Sequence, residues 1–142
     1  MLALLRPTWR PLARAFSRTP ATAKALIVKN QEEFLNKVMH SDLPVIVNFH
    51  AEWCEPCKIL SPRLKELVEP LEDIVLAVVD VENNVDLVHT FEVKAVPAVI
   101  AIRNGIVVDK FIGLVDGEMI DKLIAELSRG AKPESDGSDS KQ

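Results

Sequence analysis

Cys54 and Cys57 are the only cysteines in the 142-residue chain, and they stand three apart in Ala51-Glu52-Trp53-Cys54-Glu55-Pro56-Cys57-Lys58. That spacing lets the two sulfurs meet as one short disulfide. The stretch before them, Pro44-Val-Ile-Val-Asn-Phe49, reads as a buried strand, and Pro56 suits the first turn of a following helix, where a missing N–H is harmless. Cys54 is then expected at the exposed N-terminus of the helix, where unpaired N–H groups and the helix dipole favour its thiolate, the species that attacks disulfides. Cys57 falls one turn further, on the same face. It is placed to attack a mixed disulfide formed by Cys54 and so release a reduced product.

Two other readings use the same residues. A structural disulfide closing so short a loop would remove little chain entropy, and a zinc site would need a second Cys/His pair at ligand spacing, which the sequence lacks. A Cys-x-x-Cys pair beside a strand–helix–strand pattern points instead to redox chemistry.

The elements around the pair alternate. Residues 25–28 form a short apolar strand, and residues 31–40 place Phe34, Leu35 and Val38 at helical spacing. A strand at 45–49 leads into the cysteine helix, expected to run to about Leu71 with a kink at Pro62. A strand at 74–81 and a short helix at 85–91 follow. Strands at 98–103 and 106–111 are joined by Asn104-Gly105, a two-residue hairpin signal, and residues 117–128 form a closing amphipathic helix with Met119, Ile120, Leu123, Ile124 and Leu127. The order βαβαβαββα predicts an α/β fold with a mixed central sheet flanked by helices.

Composition bounds the rest. With 48% hydrophobic residues the chain can bury a real core, and no apolar run is long enough to span a bilayer, so a soluble domain is expected. The net charge of −4 conceals a division: residues 1–30 hold Arg6, Arg10, Arg14, Arg18, Lys24 and Lys29 but no Asp or Glu. An Arg-rich, acid-free leader with arginines every four residues matches a mitochondrial transit peptide better than a nucleic-acid patch, and the apolar run Met1–Leu5 is too short for a secretory signal. We therefore expect residues 1–24 to be a removable leader, with cleavage after Phe16 or further on, followed by a domain over 25–129. Residues 130–142, rich in Ser, Asp, Gly and Lys, are expected to be a disordered polar tail.

Residues 25–128 resemble a thioredoxin, and with the leader the chain resembles a mitochondrial member of that family. The resemblance rests on Phe49-His50-Ala51-Glu52-Trp53-Cys54, on Pro56-Cys57-Lys58 and Pro62, on Val96-Pro97, and on Asn104-Gly105 and Gly113. It implies the thioredoxin fold and disulfide reduction, with Cys54 as nucleophile and Cys57 as resolving thiol. It also implies a cis Val96–Pro97 peptide facing the disulfide, and a side-chain-poor platform of Trp53, Val96, Pro97, Ile112 and Gly113 that binds extended client backbone. No cofactor and no metal are implied. The implied partners are a flavin-dependent thioredoxin reductase and protein disulfides such as those of peroxiredoxins, met by a monomer in the mitochondrial matrix without nucleic acid or membrane.

Three positions depart from the family pattern. Glu55 stands beside Pro56 where Gly is usual, Asn48 replaces a buried Asp, and Val78 replaces the Lys that approaches it. The last two changes are coherent, because they remove both ends of a buried charge pair. They also remove a proton acceptor, since an amide cannot take the proton of Cys57. Asn48, Glu55 and Pro56 are therefore the tuning positions.

Other candidates are weaker. A lone strand residue such as His50 is more often packed than functional, His40 and His89 read as helix surface, and Asp80, Glu82 and Asp86 read as solvated loop charge without calcium-ligand spacing. The competing functional class is a thioredoxin-fold binding module with a slow or silent dithiol. Partner binding indifferent to Cys54→Ser would mark it.

Overall fold

A computed structural model describes residues 25–129 as a five-stranded sheet between two helical layers. The strands are β1 Leu26–Val28, β2 Val45–His50, β3 Val75–Asp80, β4 Ala98–Arg103 and β5 Ile106–Ile112, in the spatial order β1-β3-β2-β4-β5. β1 and β2 run parallel to β3, while β4 is antiparallel to β2 and β5 to β4. The helices are α1 Gln31–Phe34, α2 Glu55–Val68, α3 Val85–Thr90 and α4 Gly117–Ser128. The expected leader and tail lie outside the described residues.

The central strand explains why both faces must be covered. Val45 to Phe49 are all buried, and alternate side chains enter different cores. Val45, Val47 and Phe49 join Phe34, Val38 and Leu87 on the face covered by α1 and α3, where the Phe91 ring packs in tilted geometry at 5.2 Å from Phe34 and 6.1 Å from Phe49. Ile46 instead joins Leu60, Leu64 and Val68 of α2 and Ile120, Leu123 and Leu127 of α4. Asn48 and His50 follow Ile46 on that second face. In register, Asn48 lies opposite Val78 and His50 opposite Asp80.

The first helix departs from expectation. Its α-helical turn gives way at Leu35–Met39 to a wider π-helical turn, closed by the His40 N–H donating to the Leu35 carbonyl at 3.1 Å. Phe34 and Val38, four apart, point into the core, whereas Leu35 is turned off that face and stays 44% exposed. The helix starts cleanly: the Glu33 N–H donates to Asn30 Oδ1, and Glu33 Oε2 accepts from the Lys29 N–H, both at 2.8 Å. That backbone bond, with Lys37 nearby, lowers the Glu33 pKa below its ordinary value.

Two further element ends matter for the site. α2 stops at Val68, short of the expected Leu71, and keeps Pro62 inside, which cannot donate to the Lys58 carbonyl. The Asn104-Gly105 turn forms as expected, with φ of 51° and 74° at its two residues, the positive pair that suits a tight hairpin.

Candidate active site

β2 delivers the chain to the C-terminal end of the central strand, and the short segment Ala51-Glu52-Trp53 turns it into α2. Cys54 is the N-cap of that helix, with extended backbone (φ −86°, ψ 107°). In most helices a hydroxyl or carboxylate oxygen at this position accepts a first-turn N–H. Here the Cys54 sulfur does so, receiving the Cys57 N–H at 3.2 Å. Cys54 and Cys57 are joined as a disulfide, their Cα atoms 5.3 Å apart.

Exposure does not separate the two cysteines, contrary to the expectation of an exposed Cys54: they are 3% and 2% accessible. Backbone position separates them. Cys54 takes the cap, facing the unpaired N–H groups and the positive end of the dipole, and Cys57 lies within the helix. Together with Ala51 they form a small buried cluster, packed by Val81 and Val96.

The other rim positions converge from three loops. The Val96–Pro97 peptide is cis, and the Gly113 N–H donates to the Pro97 carbonyl at 2.7 Å, tying the end of β5 to the loop before β4. Gly113 has φ +95°, a conformation side-chain-bearing residues avoid, and a Cβ there would meet nothing within 4 Å. The space beside it is open. Ile112, next to Gly113, and Trp53, next to Cys54, are 51% and 65% exposed, so both carry large apolar surface to solvent.

Trp53 is held by a residue read from sequence as plain loop charge. Its indole N–H donates to Glu82 Oε1 at 2.8 Å, and the Glu82 N–H donates in turn to Asp80 Oδ1 at 2.8 Å. Trp53 and Glu82 are 29 positions apart, and nothing in the sequence signals that contact. Glu55, beside Pro56 at the start of α2, is exposed and ion-paired with Lys58 at 2.8 Å. That i,i+3 spacing was visible in the sequence.

Behind the cysteines, Asn48 is 1% exposed, and its Nδ2 donates to Ser61 Oγ at 2.9 Å, one helical turn beyond Cys57. Its Oδ1 has no partner among the described residues. Sequence reasoning singled out Asn48 as a tuning position but did not foresee its partner Ser61. Among the described residues, no group of three or more His, Cys, Asp or Glu side chains is placed to hold a metal ion.

The thioredoxin family model matches residues 25–126. This chain belongs to the thioredoxin family. Thioredoxin is thus the frame for its chemistry, and the chain is a thiol–disulfide oxidoreductase of the protein-disulfide reductase type. Over 116 residues it is 42% identical to the mitochondrial thioredoxin of Rattus norvegicus, covering 81% of this chain and 70% of that one. The mitochondrial thioredoxin of Bos taurus is 40% identical over the same length and coverage. Among solved structures, a point mutant of the thioredoxin of Halobacterium salinarum superposes with a TM-score of 0.69 at 31% identity, covering 77% of this chain and 95% of that one. The thioredoxin of Trypanosoma brucei brucei gives 0.70 at 26% identity, with 78% and 96% covered.

Proposed function

We propose that this thioredoxin reduces protein disulfides in the mitochondrial matrix through the Cys54/Cys57 dithiol. The observation that carries the reading is the Cys54 sulfur at the N-cap of α2, accepting the Cys57 N–H. A thiolate at that atom gains a hydrogen bond and the helix dipole together. In the reduced protein, Cys54 attacks a client disulfide and expels one client sulfur. Cys57 then attacks Cys54, forming the intramolecular disulfide and releasing the second client sulfur. Two electrons pass to the client, and a flavin-dependent thioredoxin reductase returns them to the pair.

Client binding falls to the rim. The apolar faces of Trp53 and Ile112, with Val96, Pro97 and the open backbone at Gly113, suit an extended segment recognised by backbone more than by side chains. Peroxiredoxins, whose disulfides need an external reductant, are clients of the right chemistry, met by a monomeric thioredoxin. The location rests on the basic leader and on relatives named mitochondrial thioredoxin.

Two measurements test the two parts separately. Insulin-type disulfide reduction with dithiothreitol should proceed with the native chain and be lost in Cys54→Ser; turnover surviving in that variant would remove the dithiol reading. A reporter carrying residues 1–30 should enter mitochondria, and changing Arg6, Arg10, Arg14 and Arg18 to Glu should abolish import. Matrix delivery of the Glu-substituted leader would remove the address.

A further inference from the structure

The resolving step has a proton to lose and, among the described residues, no buried carboxylate to take it. Cys57 is buried at 2% exposure, and its thiol must become a thiolate before its sulfur attacks. The nearest buried polar side chain on β2, Asn48, is an amide and stays neutral at every working pH. It donates to Ser61 and leaves its own Oδ1 unpartnered among the described residues.

A groove of about 1250 Å³ opens near this amide; Asn48 and Cys57 do not line it, but Ser61, the partner of Asn48, does. It lies between α2 and the β1–β3 side of the sheet, walled by Ser61, Pro62 and Lys65 on one side and by Leu76, Val78 and Asp80 on the other. Val78, directly across from Asn48 in register, presents only a short apolar side chain there. His50 lines the groove too. It sits two residues after Asn48, and so on the same face of β2, half-buried toward α2. Ser61 belongs both to the hydrogen bond of Asn48 and to the groove wall, one turn from Cys57. The groove therefore reaches Ser61, four residues along α2 from Cys57, and His50 stands on its wall.

The charged groups facing His50 across this groove are Asp80 from β3, Lys65 and Glu69 from α2, and Lys29 after β1. Carboxylate and ammonium side chains as types change protonation far from neutrality, whereas imidazole is the type that both accepts and returns a proton there. Asp80 lies opposite His50 in the β2–β3 ladder, and its Oδ1 accepts the Glu82 N–H.

Resting on the disulfide-reductase reading above, we propose that His50 is the proton relay of the resolving step, acting through water in the groove. The Cys57 thiol passes its proton by way of that water to the imidazole. The Cys57 thiolate then attacks the Cys54 sulfur of the mixed disulfide, the Cys54–Cys57 bond forms, and the bond from Cys54 to the client breaks. The client sulfur leaves with the bonding electron pair and takes a proton from solvent, while the imidazolium returns its own proton to water in the groove. Charge and protons balance over the step, and His50 ends as it began. His50 works here through water and not by touching a sulfur.

The test uses the full chain and a peptide mixed disulfide on Cys54, with resolution followed by stopped flow between about pH 6 and about pH 8, the range in which imidazole ordinarily titrates. Formation of the mixed disulfide is followed separately in a Cys57→Ser background. His50→Gln, which keeps size and polarity, should slow resolution about tenfold or more at neutral pH while leaving formation within roughly twofold. Adding Asn48→Asp to His50→Gln should recover the lost rate, because a carboxylate then stands where the proton must go; a packing defect would gain nothing from it. Resolution at the native rate in His50→Gln, equal slowing of both steps, or no recovery with Asn48→Asp each overturns the relay. A native chain that forms no mixed disulfide overturns the reductase reading beneath it, and the relay with it.

Discussion

On the Cys54 side of the redox pair, the site is made largely from backbone: a helix N-terminus, a cis peptide, a glycine at φ +95° and the Gly113 N–H on the Pro97 carbonyl. On the Cys57 side it is made from side chains: Asn48 on Ser61, Val78 across the ladder, and His50 on the groove. Backbone devices depend on a few residue types at fixed places, and here all are present. Side-chain devices can be exchanged in sets, and here the buried acid and its expected cation are both missing. On the function proposed above, the front governs the first attack and the back the completion of the second. The difference is open to direct attack by mutation.

The largest effects should come from the cysteines themselves. Cys54→Ser should abolish disulfide reduction, since no other residue is the N-cap of α2. Cys57→Ser should leave the first attack and accumulate mixed disulfides with clients. With the two cysteines equally buried, limiting iodoacetamide should still label Cys54 first in the reduced protein, because the cap position and not exposure governs its reactivity. Preferential labelling of Cys57, read by peptide mass spectrometry, would reverse the front and back roles.

Next in size is Asn48→Asp, which should speed release of the reduced product while barely changing the first attack. It should also lower stability. Desolvation raises the carboxyl pKa in the folded state, and Val78 offers no cation, so the ionised form costs roughly 2–4 kcal/mol. Because the folded pKa lies above the unfolded one, the cost is absent below the unfolded value, grows as pH rises, and is complete above the folded value. Denaturation of variant and native protein should therefore coincide in acid and diverge toward alkaline pH. Equal stability at both ends, or resolution no faster at neutral pH, would make Asn48 a space-filling replacement.

The same division decides what the sequence revealed. The front was legible because its devices have fixed signatures: Cys-x-x-Cys after an apolar run, Pro at the start of a helix, Asn104-Gly105 between two strands. The mixed sheet and the order of elements along the chain followed from alternation, and both α4 and β4 fall on the expected residues. Leu35 failed because three apolar residues at nearly helical spacing do not show which one turns away. The expected exposure of Cys54 failed because Ala51, Val81 and Val96 cover it, two of them from segments distant in sequence. Glu82 failed for a like reason, its partner Trp53 lying a whole helix–strand unit earlier. The substitutions at Asn48 and Val78 could be seen to belong together, but the groove that accompanies them is a property of packed elements.

The smallest expected effect sharpens the comparison at the front. Glu55 places a carboxylate one residue after Cys54, and two influences act on it in opposite senses. A negative side chain in the first turn of α2 interacts well with the helix dipole, yet the same charge disfavours a thiolate next to it. Before screening, the repulsion is at most about 1 kcal/mol. Two observations reduce it further: the Glu55 and Lys58 side chains are 80% and 59% exposed, and they form an ion pair at 2.8 Å that offsets part of the field. Glu55→Gly should therefore raise the thiolate fraction of Cys54 at a given pH by less than about tenfold, and Lys58→Met should lower it. A thiolate that is harder to form disfavours the reduced protein, so the native chain should be a slightly stronger reductant than Glu55→Gly. Salt gives the internal control, because the difference between the two proteins should shrink between roughly 0.1 M and 1 M ionic strength as the Debye length contracts. Thiolate absorbance titrations decide the matter: an equal or smaller thiolate fraction in Glu55→Gly would mean that the dipole interaction outweighs the repulsion, and that Cys54 is set by backbone alone.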